Sequence, residues 1–447
     1  MQLLRKCIVN LLKLLFPVVS GLLFLETVWN FYEGLTNFYY NGFILLTVLY
    51  SALVLIFMYM YGGTKIDTER VRNLALSNTI ALLFANFFIY IIISLIALRF
   101  FNPLALIISM FIQAVMLTFL SFGSVHILRI IIPKANAIAI ISDSNIDQDA
   151  VISIEKHDVK HKIVKTIIIS ELIDYQSVLE HCETVIIGDI EKHLRGDLLT
   201  YCYNSGKEVI IIPTMQDILL NNSSEYIVGD KLVYIDRYNG FNTLSEILKR
   251  VFDIVASIIG IIITSPIMLI TAIMVKSYDG GPAFFKQKRL TKGGKEFNLI
   301  KFRSMIQNSE ENAQTYLVLE GDKRITPVGK FIRATRIDEL PQFFNILLGD
   351  MSFVGPRPER PELYEIYCRD CPEFRYRLKV KAGLTGYAQV YGKYNTTAKD
   401  KVKLDLLYIE RASVLQDIQI ILYTIKIIFM KESSEGVTDI NKTAKKQ

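Results

Sequence analysis

Apolar residues are concentrated at the start of this chain. Four long runs, near residues 8–28, 42–61, 79–98 and 103–123, contain few charges. Each is about 30 Å long as a helix, enough to cross a hydrocarbon core of about 30 Å. Arg5, Lys6 and Lys13 at the start of the first run give it the look of a signal sequence. It has no small-residue cleavage site, and three more runs follow, so it reads as a membrane span.

The texture then changes. Ala137–Ser142, Ile163–Ile169, Thr184–Gly188, Val209–Pro213 and Leu232–Ile235 are short apolar, β-rich runs separated by polar, helix-compatible stretches. That alternation predicts βαβ units and a parallel sheet covered on both faces, a small Rossmann-like domain. A dinucleotide site would place glycines after the first strand. The turn here, Ser142-Asp143-Ser144-Asn145, has none, which favours a packing or oligomerisation role over ligand binding.

A further run, Ile254–Val275, has 22 apolar or small positions, about 33 Å as a helix. Ser265-Pro266 lies at its middle, where proline removes a helix hydrogen bond and crowds the carbonyl of Ile262. Basic residues flank both ends: Lys249 and Arg250 before, Lys276, Lys286, Lys288 and Arg289 after. Loop charge therefore assigns no crossing direction. A re-entrant helix over 251–276, entering and leaving on one face with its break at Ser265 and Pro266, satisfies both facts.

Charge orients the first four runs. Lys65, Arg70 and Arg72 separate runs two and three, and Arg129 and Lys134 follow run four, whereas 32–41 has no Lys or Arg. Both termini are expected on the cytoplasmic side, with Trp29, Phe38, Tyr39 and Tyr40 as an aromatic belt at the opposite interface. Hydrophobic residues make up 51% of the 447, and the mean hydropathy of +0.33 agrees with a membrane protein. The net charge of +6 suits work beside anionic lipid, and nothing points to nucleic acid. The five cysteines imply no disulfide framework. Cys368 and Cys371 form a lone CxxC that is expected to stay reduced.

All five histidines lie before residue 200, so the third region, 242–430, works without histidine. Its remaining chemistry is carboxylate with Lys and Arg, which suits phosphate transfer with a hard cation. Pro341 belongs in the first turn of a helix, which places Asp338-Glu339 near a helix start, where the dipole lowers a carboxylate pKa. Such a pair is ordinarily a cap. Arg333 and Arg336 precede it, and Gly355-Pro356-Arg357-Pro358 follows, with an arginine between two prolines suited to gripping phosphate.

These runs resemble the bacterial polyprenyl-phosphate sugar-phosphotransferases of the monotopic phosphoglycosyl transferase superfamily. The resemblance covers roughly 246–430. It is carried by Lys249-Arg250-Val251-Phe252-Asp253, Ser265-Pro266, Gln287-Lys288-Arg289, Lys301-Phe302-Arg303-Ser304-Met305, Asp338-Glu339-Leu340-Pro341-Gln342, Gly355-Pro356-Arg357-Pro358, and Gly383-Leu384-Thr385-Gly386 with Gln389-Val390. The N-terminal spans and the α/β insert look like the family's long form.

Together with the hydropathy and composition, this resemblance gives an expected membrane helical bundle (1–130), a Rossmann-like domain (131–241), a mainly α catalytic domain with a re-entrant helix (242–430) and a disordered tail (431–447) rich in Lys, Ser and Thr. The resemblance implies transfer of a sugar-1-phosphate from a UDP-sugar to undecaprenyl phosphate, with release of UMP, on the cytoplasmic face of a bacterial inner membrane, as the first step of an exopolysaccharide, capsule or other surface glycan. Asp338 would be the nucleophile and Glu339 the Mg2+ ligand. Arg333, Arg336, Lys301, Arg303 and the Pro356-Arg357-Pro358 loop would bind phosphate or nucleotide. Asp405, Tyr408 and Gln389 lie in late motifs with looser roles. Beyond them, Ile418, Ile421, Leu422, Ile425, Ile428 and Phe429 form the apolar face of an amphipathic helix, opposite Asp417, Gln419 and Lys426. Two rivals stay open: a catalytically idle ligand-sensing or scaffold protein of a polysaccharide assembly complex, and a transferase that moves the sugar alone. The sugar and a homodimer also stay open.

Overall fold

The computed structural model describes residues 2–31, 40–131, 134–158, 160–171, 175–221, 223–235, 243–306, 324–392 and 396–428. They form two compact units, Met1–Thr214 and Met215–Gln447.

In the first unit, helices α1 (Gln2–Phe31), α2 (Tyr40–Tyr61), α3 (Val71–Ala97) and α4 (Leu104–Ile131) match the four apolar runs, and all are long and apolar enough to cross a membrane. They pack as a bundle, α1 against α2 and α4, α3 against α2 and α4. Leu11, Leu22, Leu45, Phe87, Leu95, Phe111 and Phe119 are exposed, the inverse of a water-soluble bundle. The interior holds polar groups among residues such as Phe16, Phe24, Val54 and Leu82. Tyr50 donates to Gln113 Oε1 at 2.6 Å and accepts from Asn86 at 2.9 Å, and Thr27 donates to Ser109 at 2.8 Å. Such bonds select partners between helices whose outer faces are equally apolar. Trp29 leans on Phe43, ring centroids 5.3 Å apart. Phe38 and Tyr39 of the expected belt lie outside the described residues, as does the side chain of Tyr40.

The α/β region follows: β1 (Ala135–Ile141), α5 (Asn145–His157), β2 (His161–Ile168), α6 (Tyr175–Leu179), β3 (Thr184–Ile187), α7 (Lys192–Asn204) and β4 (Glu208–Ile211). The sheet is wholly parallel, in the order β2-β1-β3-β4. Alternate residues serve opposite faces. Ile138, Ile140, Val185 and Ile187 meet Leu179, Leu198 and Cys202, while Ala137, Ala139, Ile141 and Ile186 meet Val151. The crevice where the strand order reverses is filled from within. Asp147 Oδ2 accepts from the amide of Ser142 (3.2 Å), its hydroxyl (2.6 Å) and the amide of Asp189 (3.0 Å). A carboxylate therefore sits where folds of this kind place a ligand phosphate.

The second unit opens with α8 (Met215–Leu220), whose Met215 and Ile218 join the core of Val354, Phe374, Val402, Leu406 and Ile409. The expected fifth parallel strand at Leu232–Ile235 is corrected. It belongs to β6 (Lys231–Ile235), which pairs antiparallel with β5 (Ser224–Val228). The cause is a two-residue turn with Gly229 at φ +65, which folds the chain straight back.

Next comes α9 (Thr243–Asp279), one helix of 37 residues. Helical structure continues through Pro266. Ser265 Oγ donates to the carbonyl of Ile262 at 2.9 Å, replacing the bond that proline cannot make. The remaining elements are β7 (Phe284–Leu290), β8 (Glu296–Phe302), α10 (Pro327–Ala334), α11 (Gln342–Leu348), β9 (Met351–Val354), α12 (Pro361–Asp370), β10 (Ala382–Thr385), α13 (Tyr387–Tyr391), α14 (Ala398–Arg411) and α15 (Val414–Ile428). Strands β7 and β8 pair antiparallel, and β9 and β10 pair in parallel.

The reading of α15 is also corrected. Asp417 and Lys426 lie on its buried side, and Leu415 is exposed. Asp417 is drawn inward because Lys249 of α9 pairs with it and Tyr408 of α14 donates to it at 2.8 Å. Phe429 and the side chain of Ile428 lie outside the described residues, as do residues 431–447. The five cysteines are free thiols.

Candidate active site

Local structure brings Asp338 and Glu339 to one point. Thr326 caps α10 by accepting from the amide of Gly329, and Arg336, at φ 59, turns the chain into a short 3-10 turn, Ile337–Glu339. The apolar neighbours of the pair anchor it: Ile337 and Leu340 pack with Ile332, Phe302 and, from α9, Met268 and Val275. Asn345 of α11 then clips this segment to β8. Its Oδ1 accepts from the Ile300 amide (3.0 Å), and its Nδ2 donates to the Asn298 carbonyl (2.8 Å). Lys301 is thereby held beside the acidic pair.

The Pro356-Arg357-Pro358 loop reaches the same point from β9. Gly355 and Gly383 let two loops press backbone to backbone: a Cβ on Gly355 would lie 2.3 Å from the Lys381 carbonyl oxygen, and one on Gly383 would lie 2.1 Å from the Gly355 nitrogen. Only glycine fits there. The loop projects Arg357 so that its guanidinium lies 3.0 Å from Glu339 Oε1. Lys301 Nζ stands 3.6 Å from that same oxygen, and an Arg336 nitrogen 4.0 Å.

These charges separate the two carboxyls. Burial would raise Glu339, but Arg357, Lys301 and Arg336 outweigh it and hold the group at about 2. Asp338, 9% exposed, moves the other way: burial raises it, the charge of Glu339 adds to this, and Lys301, Arg333 and Arg336 only partly compensate. The expectation of a dipole-lowered carboxylate is therefore corrected for Asp338. Pro341, not Asp338, caps α11, and desolvation dominates. Burial also pulls Lys301 down to about 8, against the pull of Glu339. Pairs whose environments push their pKa values apart mark catalytic sites more often than structural ones.

The site thus unites Asp338, Glu339, Arg336, Lys301, Pro356, Arg357 and Pro358, with Arg333 donating to Ser304 Oγ at 2.7 Å nearby. Other candidates stand in different bonds. Arg303 grips Asp279 at the end of α9 with two nitrogens and the Pro282 carbonyl with a third. Asp405 is buried against Arg377 (2.6 Å), and Tyr408 donates to the Val354 carbonyl (3.1 Å) and to Asp417. Gln389 donates to the Leu384 carbonyl at 3.0 Å. Arg377 and Glu359 join these bonds without a motif of their own. Only the position of Glu359 directly after Pro358 hinted at either.

Glu339 and Asp338 are the residues here that could hold a hard cation such as Mg2+, and among the described residues no cluster of three or more His, Cys, Asp or Glu is present. Glu339 stays ionised at any physiological pH and Asp338 adjoins it, while Mg2+ typically takes one or two carboxylates and completes its shell from substrate phosphates and water.

The bacterial sugar transferase family model matches residues 244–431. The chain is 45% identical over 184 residues to a UDP-N-acetylgalactosamine-undecaprenyl-phosphate N-acetylgalactosaminephosphotransferase of Aeromonas hydrophila, covering 40% of this chain and 43% of that protein. It is 36% identical over 244 residues to an undecaprenyl-phosphate galactose phosphotransferase of Salmonella typhimurium, covering 51% and 50%. The matches to these two relatives thus span about half of their length. An uncharacterized sugar transferase of Bacillus subtilis is 37% identical over 195 residues, 44% of this chain and 92% of that protein. With nearly the whole of one relative and every residue of the acidic and arginine cluster inside the matched region, this chain belongs to the bacterial sugar transferase family.

Proposed function

We propose that the protein transfers a sugar-1-phosphate from a UDP-sugar to undecaprenyl phosphate at the cytoplasmic face of a bacterial inner membrane, the first step of a surface glycan. The observation that carries this is the division of labour between adjacent carboxyls: Glu339 is clamped by three cations, and Asp338 is buried beside it. A carboxylate needs no base to become a nucleophile. Asp338 attacks the phosphorus next to the sugar, the bond from that phosphorus to the bridging oxygen breaks, and UMP leaves. An oxygen of the lipid phosphate then attacks the same phosphorus, the bond to Asp338 breaks, and the free carboxylate returns. Arg357, Lys301, Arg336 and Arg333 offset the charge that two anions bring together. Glu339, with Asp338 adjacent, would hold Mg2+, which supplies further neutralisation of the diphosphate when bound.

The acceptor is a lipid, and α9 supports access to it. Its exposed side is continuously apolar through Val255, Ile259, Ile262, Ile263, Ile270 and Ile273. Its two ends engage the same unit, Lys249 through Asp417 and Asp279 through Arg303. That favours entry and exit on one face of the bilayer.

The test is product identity in membranes supplied with UDP-sugars and undecaprenyl phosphate. UMP release that Asp338→Asn abolishes is expected. UDP as the nucleotide product, or undiminished UMP release by Asp338→Asn, overturns the reaction.

A further inference from the structure

The loop that presents Arg357 is held in an unusual way. Pro356 and Pro358 have no N–H, so the loop has few amides with which to fix itself. Backbone amides take the carbonyls at its two ends, Gly383 donating to Pro356 (2.9 Å) and Leu290 to Glu359 (3.0 Å), and two guanidinium groups from elsewhere take the two between. Arg377 donates to the Arg357 carbonyl at 3.2 Å, and Arg289 of β7 donates to the Pro358 carbonyl at 3.0 Å. Both also reach the next residue: Glu359 Oε1 lies 3.6 Å from Arg377, and Oε2 lies 4.0 Å from Arg289. Arg377 is fixed in turn. Its side chain is 5% exposed, its Nε donates to Asp405 at 2.6 Å, and its guanidinium lies 4.5 Å from the ring centre of Phe374. Beyond the loop, Arg357 meets Glu339.

We propose that Arg377 and Arg289 are positioning residues that clamp the Pro356–Glu359 loop from both sides and so set the reach of Arg357 toward Glu339 and the donor phosphates. This rests on the reaction proposed above. Asp405 serves as the buried counter-charge that makes Arg377 tolerable in the interior. A planar fork suits the task because one cation must bond a carboxylate, a second carboxylate and a carbonyl in a fixed relation, which an ammonium cannot reproduce.

A double-mutant cycle distinguishes a clamp from a merely structural ion pair. Arg377→Lys keeps a charge opposite Asp405 and removes the fork. Its kcat/KM for UMP release is expected to fall about tenfold to a hundredfold. In an Arg357→Ala background the same substitution should cost less than about twofold, because the group being aimed is gone. Arg289→Gln, nearer the surface, should show the same non-additivity, and it carries the test if Arg377→Lys does not fold. Losses of equal size with and without Arg357 overturn the clamp. The two readings fail differently: an active wild-type enzyme with additive losses sinks the clamp alone, whereas a wild-type enzyme that releases no UMP sinks the reaction.

Discussion

The Arg357 guanidinium approaches Glu339 Oε1 to 3.0 Å, on the same oxygen that Lys301 faces at 3.6 Å. One carboxylate oxygen thus organises two cations at the mouth of the site, beside the buried Asp338. Losing Arg357 removes the nearest of these charges and frees Glu339 to swing. Arg357→Ala should lower kcat/KM by at least about a hundredfold, in line with removal of one electrostatic donor from a preorganised site. Arg357→Lys should recover little of it, since the fork is lost. Steady-state UMP release measures both.

The pH profile should be bell-shaped. Asp338 must be ionised to attack, and burial and the neighbouring Glu339 raise its pKa, so activity rises with pH on the acid side through a value above that of a free aspartate. Lys301 contributes while protonated, and burial lowers it to about 8, so activity falls as pH climbs through that value. Lys301→Arg keeps its charge throughout and should abolish the alkaline limb while leaving the acid limb in place. An unchanged alkaline limb in that variant would assign the titration to another group.

Arg336 lies at φ 59, a left-handed conformation that costs a non-glycine residue about 1–2 kcal/mol. It is retained next to the acidic pair, 4.0 Å from Glu339. Arg336→Ala and Arg336→Gly remove the same guanidinium and differ only in backbone freedom. Both should lose activity. The glycine variant should unfold at a temperature a few degrees above the alanine variant, a difference of about 1 kcal/mol.

In the α/β region, Asp147 is expected to act as an internal substitute for a bound anion. Asp147→Ala leaves the amides of Ser142 and Asp189 without their acceptor, at a cost of about 1–3 kcal/mol. Hydrogen exchange at those two amides should quicken in Asp147→Ala, and much less in Asp147→Asn, which keeps an acceptor oxygen. Equal protection in all three proteins would show that the carboxylate is dispensable there.

What could be read in advance was what local rules govern. The four spans follow from the demands of a hydrocarbon core, and β1 to β4 follow from short apolar runs between helices. The bond from Ser265 to the Ile262 carbonyl follows from what proline removes. Pairings between distant residues could not be read. Asp417 looked like the polar face of an amphipathic helix because nothing local shows that Lys249, 168 residues earlier, will cover its charge. Arg303 looked like a phosphate ligand within its motif, while its partner Asp279 lay at the far end of a long apolar helix. Leu232–Ile235 has strand composition in either pairing, and only the turn at Gly229 decides the direction. The acidic pair was located by its motif, but the opposite pKa shifts depend on burial that no linear pattern reveals.

Topology provides the last test. From Lys249 to Asp279 the helix rises about 45 Å, more than a hydrocarbon core of about 30 Å requires, so length alone permits a crossing. The contacts at its ends argue against one. Lys249 is buried with Asp417 and the Val354 carbonyl, and Asp279 is held by Arg303. A crossing would separate these two ends by the bilayer and strip at least one of them of a charged partner, leaving a buried charge uncompensated, at a cost of about 3–5 kcal/mol. Lys276, exposed near the end of the helix, is a suitable reporter, and Lys134, exposed ahead of β1, is an internal reference. With the five native cysteines replaced by serine, Lys276→Cys and Lys134→Cys should both resist a membrane-impermeant maleimide in intact cells and react after permeabilisation. Labelling of position 276 from outside, with position 134 protected, would show that the helix crosses and that the two ends of α9 do not share a face.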